Sequence, residues 1–94
     1  MTMASPIPDL ILYGRADCHL CDEARAIATA LLADRAAAGK PTPTLVERDI
    51  DTDPAWQRDF FATVPVMELD GRRLETVISL ARVRRLLTDV LDGA

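Results

Sequence analysis

The sequence predicts an α/β fold with element order β-α-β-α-β-β-α, three helices resting on a four-stranded mixed sheet. Short apolar runs bounded by Gly or Pro alternate with longer stretches of helical periodicity. A strand, a helix and a second strand make a right-handed crossover, so the first two strands should be parallel. An Asp-Gly pair between the last two apolar runs adds an antiparallel hairpin.

The elements follow in order. Asp9 to Gly14 is a run of Leu, Ile and Tyr after Pro8 and reads as a buried strand. Leu20, Ala24, Ile27, Ala28, Leu31 and Leu32 then recur at the spacing of an amphipathic helix, which Gly39 and Pro41 end. Ala36 to Pro43 is a loop. Thr44 to Ile50 reads as the second strand. Asp53-Pro54 starts a short helix, with a carboxylate at the N-cap and proline at the first helical position; it carries Trp56, Phe60 and Phe61, with Trp56 read as packing. Val66 to Leu69 is the third strand and Leu74 to Val77 the fourth, joined through Asp70-Gly71. Ser79 caps a last helix whose apolar positions are Leu80, Val83, Leu86, Leu87, Val90 and Leu91, and Gly93 follows its end.

With 94 residues the chain is read as one domain over 1–94, with a small core and no room for a large enclosed cofactor. No internal repeat or low-complexity tract interrupts it. A net charge of −4 argues against a general nucleic-acid or anionic-membrane binder, which needs a basic face. The basic residues are unevenly placed, however: Arg72, Arg73, Arg82, Arg84 and Arg85 crowd the last hairpin and helix. The plain reading is a solvated face; the other is a docking surface for an acidic partner. The opening MTMASPIPDLILYG lacks the basic n-region of a secretory signal, and no stretch approaches the length of a membrane span. A cytoplasmic, monomeric protein is expected. In a reducing compartment its cysteines are more suited to catalysis or metal binding than to structure.

Both cysteines lie in ADCHLCDEA, residues 16 to 24, where the first strand gives way to the first helix. Unpaired backbone N–H groups and the macrodipole favour negative charge at a helix N-terminus. A thiolate at Cys18 would accept from the N–H groups of Leu20 and Cys21, and its pKa would fall below the free value of about 8.5. Cys21, one turn in, would be buried and keep its proton. Cys18 is therefore the candidate nucleophile and Cys21 the resolving thiol. Arg15 and His19 are candidate cationic helpers, opposed by Asp17, Asp22 and Glu23, whose carboxylates would raise a nearby thiol pKa.

Three stretches, LYGRADCHLC at 12 to 21, ERDIDTDP at 47 to 54 and TVPV at 63 to 66, together with the element order, resemble the glutaredoxin-like branch of the thioredoxin superfamily, and in particular a small bacterial glutaredoxin-like family. The resemblance spans nearly the whole chain. It implies a thioredoxin-like, glutaredoxin-type fold and thiol–disulfide exchange with protein or small-molecule disulfides. It also implies that Pro65 is a cis proline beside the cysteines, and that Val64 offers an exposed backbone N–H and C=O to substrate. Two departures stand out. His-Leu separates the cysteines, without the usual proline. ETVIS at 75 to 79 replaces the Gly-Gly pair and downstream Asp that cradle glutathione in the family, with Ser79 about where the Asp would stand. No bound cofactor or metal is expected; glutathione or a thioredoxin reductase are the candidate electron donors.

Rival readings are few. A closed zinc site needs about four ligands, and the chain has only two cysteines and one histidine. An iron–sulfur cluster bridging two chains, and a thioredoxin-fold adaptor without turnover, stand as alternatives. The acidic run DIDTD, 49 to 53, lacks the glycine and glutamate of a calcium loop, and a phosphatase Asp-x-Asp would need a larger domain. It is read as a strand end plus a helix cap.

Overall fold

The computed structural model describes residues 6–76 and 78–93. The strands are β1 (Leu10–Gly14), β2 (Leu45–Asp49), β3 (Val66–Leu69) and β4 (Arg72–Glu75); the helices are α1 (His19–Ala37), α2 (Pro54–Phe60) and α3 (Leu80–Leu91). The sheet order is β2-β1-β3-β4. β1 and β2 run parallel, with Leu10 opposite Leu45 and Gly14 opposite Asp49. β3 is antiparallel to β1 and β4 to β3. This is the predicted mixed sheet, and it has the thioredoxin-like fold.

Side chains alternate across the sheet, and the two faces carry separate cores. Leu10, Leu12, Met67 and Leu69 pack under α1 and α3 with Ala24, Ala28, Leu31, Val83, Leu86 and Leu87. Tyr13 and Val66 face the other way, with Ile50 and Phe60 and the half-buried Ile11, Trp56 and Val64. Trp56 is indeed packing: its ring meets Tyr13 edge-on at 5.8 Å, and the Arg48 guanidinium lies over it at 5.1 Å.

Local chemistry explains the element ends. Gly39 has φ +71°, and the Gly39 and Lys40 N–H groups donate to Ala36 and Arg35 carbonyls, a Schellman close for α1. β2 stops at Asp49 rather than Ile50, because Ile50–Thr52 winds into a single 3₁₀ turn capped by the Asp49 side chain, which accepts from the Asp51 N–H. Asp53 caps α2 through the Ala55 and Trp56 N–H groups, with Pro54 at the first position. Asp49 and Asp53 of the acidic run are thus spent on caps, whereas the Asp51 carboxylate accepts from the Gln57 side chain at 3.3 Å. Ser79 caps α3, accepting from Arg82 N–H.

Three expectations shift. The fourth strand starts at Arg72, not Leu74. Asp70 and Gly71 both have positive φ (+50° and +80°), the type I′ geometry that spends no further residue on the turn, so Arg72 pairs with Leu69 at once. β4 ends at Glu75, and Val77, expected in it, lies outside the described residues. The buried stripe of α1 starts at Cys21, not Leu20: Leu20 is 52% exposed, and the stripe runs Cys21, Ala24, Ala28, Leu31, Leu32 and Arg35. Phe61 lies just beyond α2 and is exposed, while Phe60 is buried.

Arg35 is the one buried charge among the described residues, at 8% exposure. Its Nε donates to Pro41 carbonyl at 2.8 Å, and its two terminal nitrogens donate to Asp92 at 2.7 and 3.3 Å. The pair ties the end of α1 to the end of α3 and holds the Asp92 carboxyl below its ordinary pKa.

Candidate active site

β1 delivers the chain to the top of the sheet, and Asp17 turns it with φ +55°, a left-handed conformation that Asp tolerates better than most residues. Cys18 then takes the extended conformation of an N-cap (φ −110°, ψ 106°), and α1 begins at His19. The Cys18 sulfur stands where a capping oxygen usually stands and accepts the Cys21 N–H at 3.2 Å. The Leu20 N–H, expected to share this role, makes no such bond among the described contacts. Cys18 and Cys21 are joined as a disulfide, with Cα atoms 5.1 Å apart. Cys18 is half-buried, whereas Cys21 is 1% exposed.

Gly14, the last residue of β1, makes that burial feasible. A Cβ there would lie 3.2 Å from Cys21 Sγ and 3.3 Å from its Cβ. Behind Cys21 is a cavity of about 310 Å³ that Gly14, Arg15, Arg25, Glu47 and Arg48 also line. Arg25 is ion-paired with Glu47 and with Asp22 (2.9 Å), which keeps its guanidinium protonated. Arg48 donates to the Tyr13 hydroxyl at 3.0 Å.

The two proposed cations are placed differently. Arg15 lines this cavity and lies 3.8 Å from Asp51; its Nε is buried without a hydrogen-bond partner. His19 points away: its Nε2 is 3.1 Å from Glu23 Oε1, and its side chain is 85% exposed. When protonated, it pairs within its own helix. The acidic neighbours are likewise engaged, Asp22 by Arg25 and Glu23 by His19.

Val64–Pro65 is cis, as the resemblance implied. Pro65 is fully buried and, with Leu20, Glu23, Thr76 and Ile78, lines a cavity of about 260 Å³ beside the cysteine loop. Val64 corrects an expectation. Its N–H is not free for a substrate, because it donates to Phe60 carbonyl at 3.1 Å. The carbonyls of the last turn of α2 have no partner within the helix, and the Thr63 and Val64 N–H groups satisfy that of Phe60.

Sequence reasoning also missed Thr76. Its φ is +62°, a conformation costly for a β-branched residue. Its N–H donates to both Thr63 and Pro65 carbonyls, at 3.1 and 3.0 Å, and so braces the Pro65 loop. Thr76 belongs to the stretch that lacks the family's Gly-Gly, so a turn of the glycine kind persists without a glycine. Ser79 is committed to capping α3.

A half-exposed cysteine at a helix start, linked to a buried one a turn later beside a cis proline, defines a thioredoxin-like protein of the glutaredoxin-like class. The chain belongs to the Glutaredoxin-like domain family (DUF836), which it matches over residues 9–90. It is similar to the X-ray structure of target protein XcR50 from X. campestris, with 34% identity and a TM-score of 0.62 over 90% of this chain and 97% of that one. It also resembles in fold the solution NMR structure of protein Ne2328 from Nitrosomonas europaea, with 22% identity and a TM-score of 0.66 over 92% and 98% of the two chains. No curated protein matches. Among the described residues, no helix is long and apolar enough to cross a membrane.

Proposed function

We propose that the protein is a thiol–disulfide oxidoreductase in which Cys18 attacks and Cys21 resolves. The observation that carries this reading is the asymmetry of the pair: the Cys18 sulfur caps α1 and accepts a backbone N–H, while Cys21 is buried against Gly14. A thiolate at Cys18 is stabilised by that N–H and by the helix dipole, and it is the sulfur within reach of a partner.

Starting from the reduced pair, Cys18 thiolate attacks one sulfur of a substrate disulfide and expels the other as a thiolate. A mixed disulfide results. Cys21 then loses its proton and attacks Cys18 Sγ, releasing the second substrate thiolate and closing the Cys18–Cys21 bond. Two electrons pass from the cysteine pair to the substrate. Run in reverse, the oxidised pair accepts two electrons from a dithiol. The exposed Leu20 and the neighbouring cavity at Pro65 and Thr76 give a partner an apolar landing beside Cys18.

Reduced protein mixed with a small disulfide-bonded protein tests the reading. The substrate should gain two thiols for each Cys18–Cys21 disulfide formed. An adaptor that merely binds would leave the substrate oxidised.

A further inference from the structure

The arginine crowding in the sequence becomes a groove in the structure. Arg72 and Arg73 of β4 and Arg82 and Arg85 of α3 line a cavity of about 430 Å³, with Asp89 as its carboxylate and Leu74 and Leu86 as its apolar lining. Arg72 Nη1 and Arg85 Nε both approach the same oxygen, Asp89 Oδ2, each at 3.9 Å. That separation is beyond hydrogen bonding, and one carboxylate stands between two guanidiniums. Arg73, by contrast, is fixed: it donates to Glu68 at 2.7 Å and stacks over Phe60 at 5.1 Å. This concentrated positive charge sits on a chain whose net charge is −4.

β4 is also an edge strand of the sheet, so its outer backbone groups face no neighbouring strand. Arg72 and Arg85 converge on Asp89 from the two walls of the groove, strand and helix. Arg82 and Arg85 are a turn apart on α3, about 4.5 Å along its axis, whereas Arg73, next to Arg72 on the strand, turns its guanidinium to the other face of the sheet, onto Glu68 and Phe60. Positive charge on both walls beside an open strand edge suits an acidic extended chain, whose side chains on one face lie about 7 Å apart.

We propose that this groove binds an acidic, extended segment of a partner protein, which pairs with the β4 edge and places carboxylates against Arg72 and Arg85. Strand addition would supply affinity, and arginine–carboxylate pairs would supply the selection for acidic sequence. The site is separate from the cysteines. Arg72 pairs with Leu69, and Leu69 with Leu10, at the end of β1 opposite Gly14. The proposal therefore stands or falls independently of the redox reading.

The test is fluorescence anisotropy of the oxidised protein with two labelled peptides, one alternating glutamate and threonine, the other glutamine and threonine, at low salt. The glutamate peptide should bind saturably and about tenfold or more tighter than the glutamine peptide. Arg72→Glu with Arg85→Glu should weaken it by about tenfold or more. Both side chains are largely exposed, so fold should persist, and far-UV circular dichroism checks it; should that pair fail to fold, Arg72→Gln with Arg85→Gln reads the same loss. Equal binding of the two peptides, or unchanged binding by the folded variants, would mean that the arginines only guard the edge and would overturn the proposal. Displacement of the peptide by equimolar pyrophosphate would overturn it in favour of a phosphate site.

Discussion

Replacing Gly14 with alanine should destabilise the oxidised protein, because the new methyl group arrives at the buried sulfur. It would lie 3.2 Å from Cys21 Sγ and 3.3 Å from Cys21 Cβ, well inside ordinary carbon–sulfur contact. Neither side yields easily. Gly14 is the last paired residue of β1, opposite Asp49, and Cys21 is 1% exposed and bonded to Cys18. Overpacking of this kind costs about 1–3 kcal/mol. The cavity behind Cys21 offers some room to retreat, which places alanine near the lower end, about 1 kcal/mol. Valine adds two more methyl groups and should fall near the upper end, about 3 kcal/mol. In urea, with a slope of about 1 kcal/mol per molar, the unfolding midpoint should drop by about 1 M for Gly14→Ala. After reduction the Cys21 sulfur is free to turn, so the loss should shrink. A midpoint for the oxidised alanine variant within about 0.3 M of the parent would refute the reasoning.

Other outcomes follow from the same geometry. Arg35→Ala removes three hydrogen bonds, two of them to a carboxylate, and should cost about 2–4 kcal/mol in urea unfolding; a loss within experimental error would deny the pair any part in stability. Arg35 holds the folded-state pKa of Asp92 below its unfolded value, so the stabilisation tied to the charged carboxylate is present above the ordinary carboxylate range and is lost as pH falls through the lowered folded value. Asp92→Asn should therefore flatten the acid side of the stability profile, and an unchanged profile would contradict that linkage. In a glutathione-coupled disulfide assay, turnover should be weak: the Gly-Gly and Asp anchors are absent and Ser79 is spent on a cap. A lost charge-assisted bond of about 1.5–3 kcal/mol corresponds to one to two orders of magnitude in affinity. Turnover as fast as an ordinary dithiol glutaredoxin would show that the ETVIS stretch holds glutathione by other means.

What could be read from the sequence was what local rules decide. The helix start at Cys18 follows from a strand end, a turn and an acidic first turn. The caps at Asp53 and Ser79, and the close at Gly39, are written in adjacent residues. The cis Pro65 came from family resemblance, because nothing in TVPV alone selects cis over trans. The misses are positions where distant parts of the chain decide. Leu20 and Ala24 share a helical spacing, yet the sheet lies under Cys21, so Leu20 faces out. Arg35 falls in the apolar stripe and is buried only because Asp92, far along the chain, comes to meet it. Val64 N–H is claimed by the end of α2, and Gly14 matters only once α1 folds back over β1. Asp70-Gly71 did carry the signal for β4 to begin at Arg72, since a two-residue turn leaves no spare residue before the strand.

The division of labour between the two sulfurs is tested most directly by trapping. With Cys21→Ser, a disulfide substrate should leave a stable mixed disulfide on Cys18, because no second thiol remains to resolve it. With Cys18→Ser, no mixed disulfide should form, since Cys21 is buried against Gly14 and away from the helix cap. Mass spectrometry of the two variants after brief exposure to the substrate, followed by an acid quench, reads the result. A Cys18→Ser protein that still forms the mixed disulfide through Cys21 at the parent rate would reverse the roles and contradict the proposed mechanism.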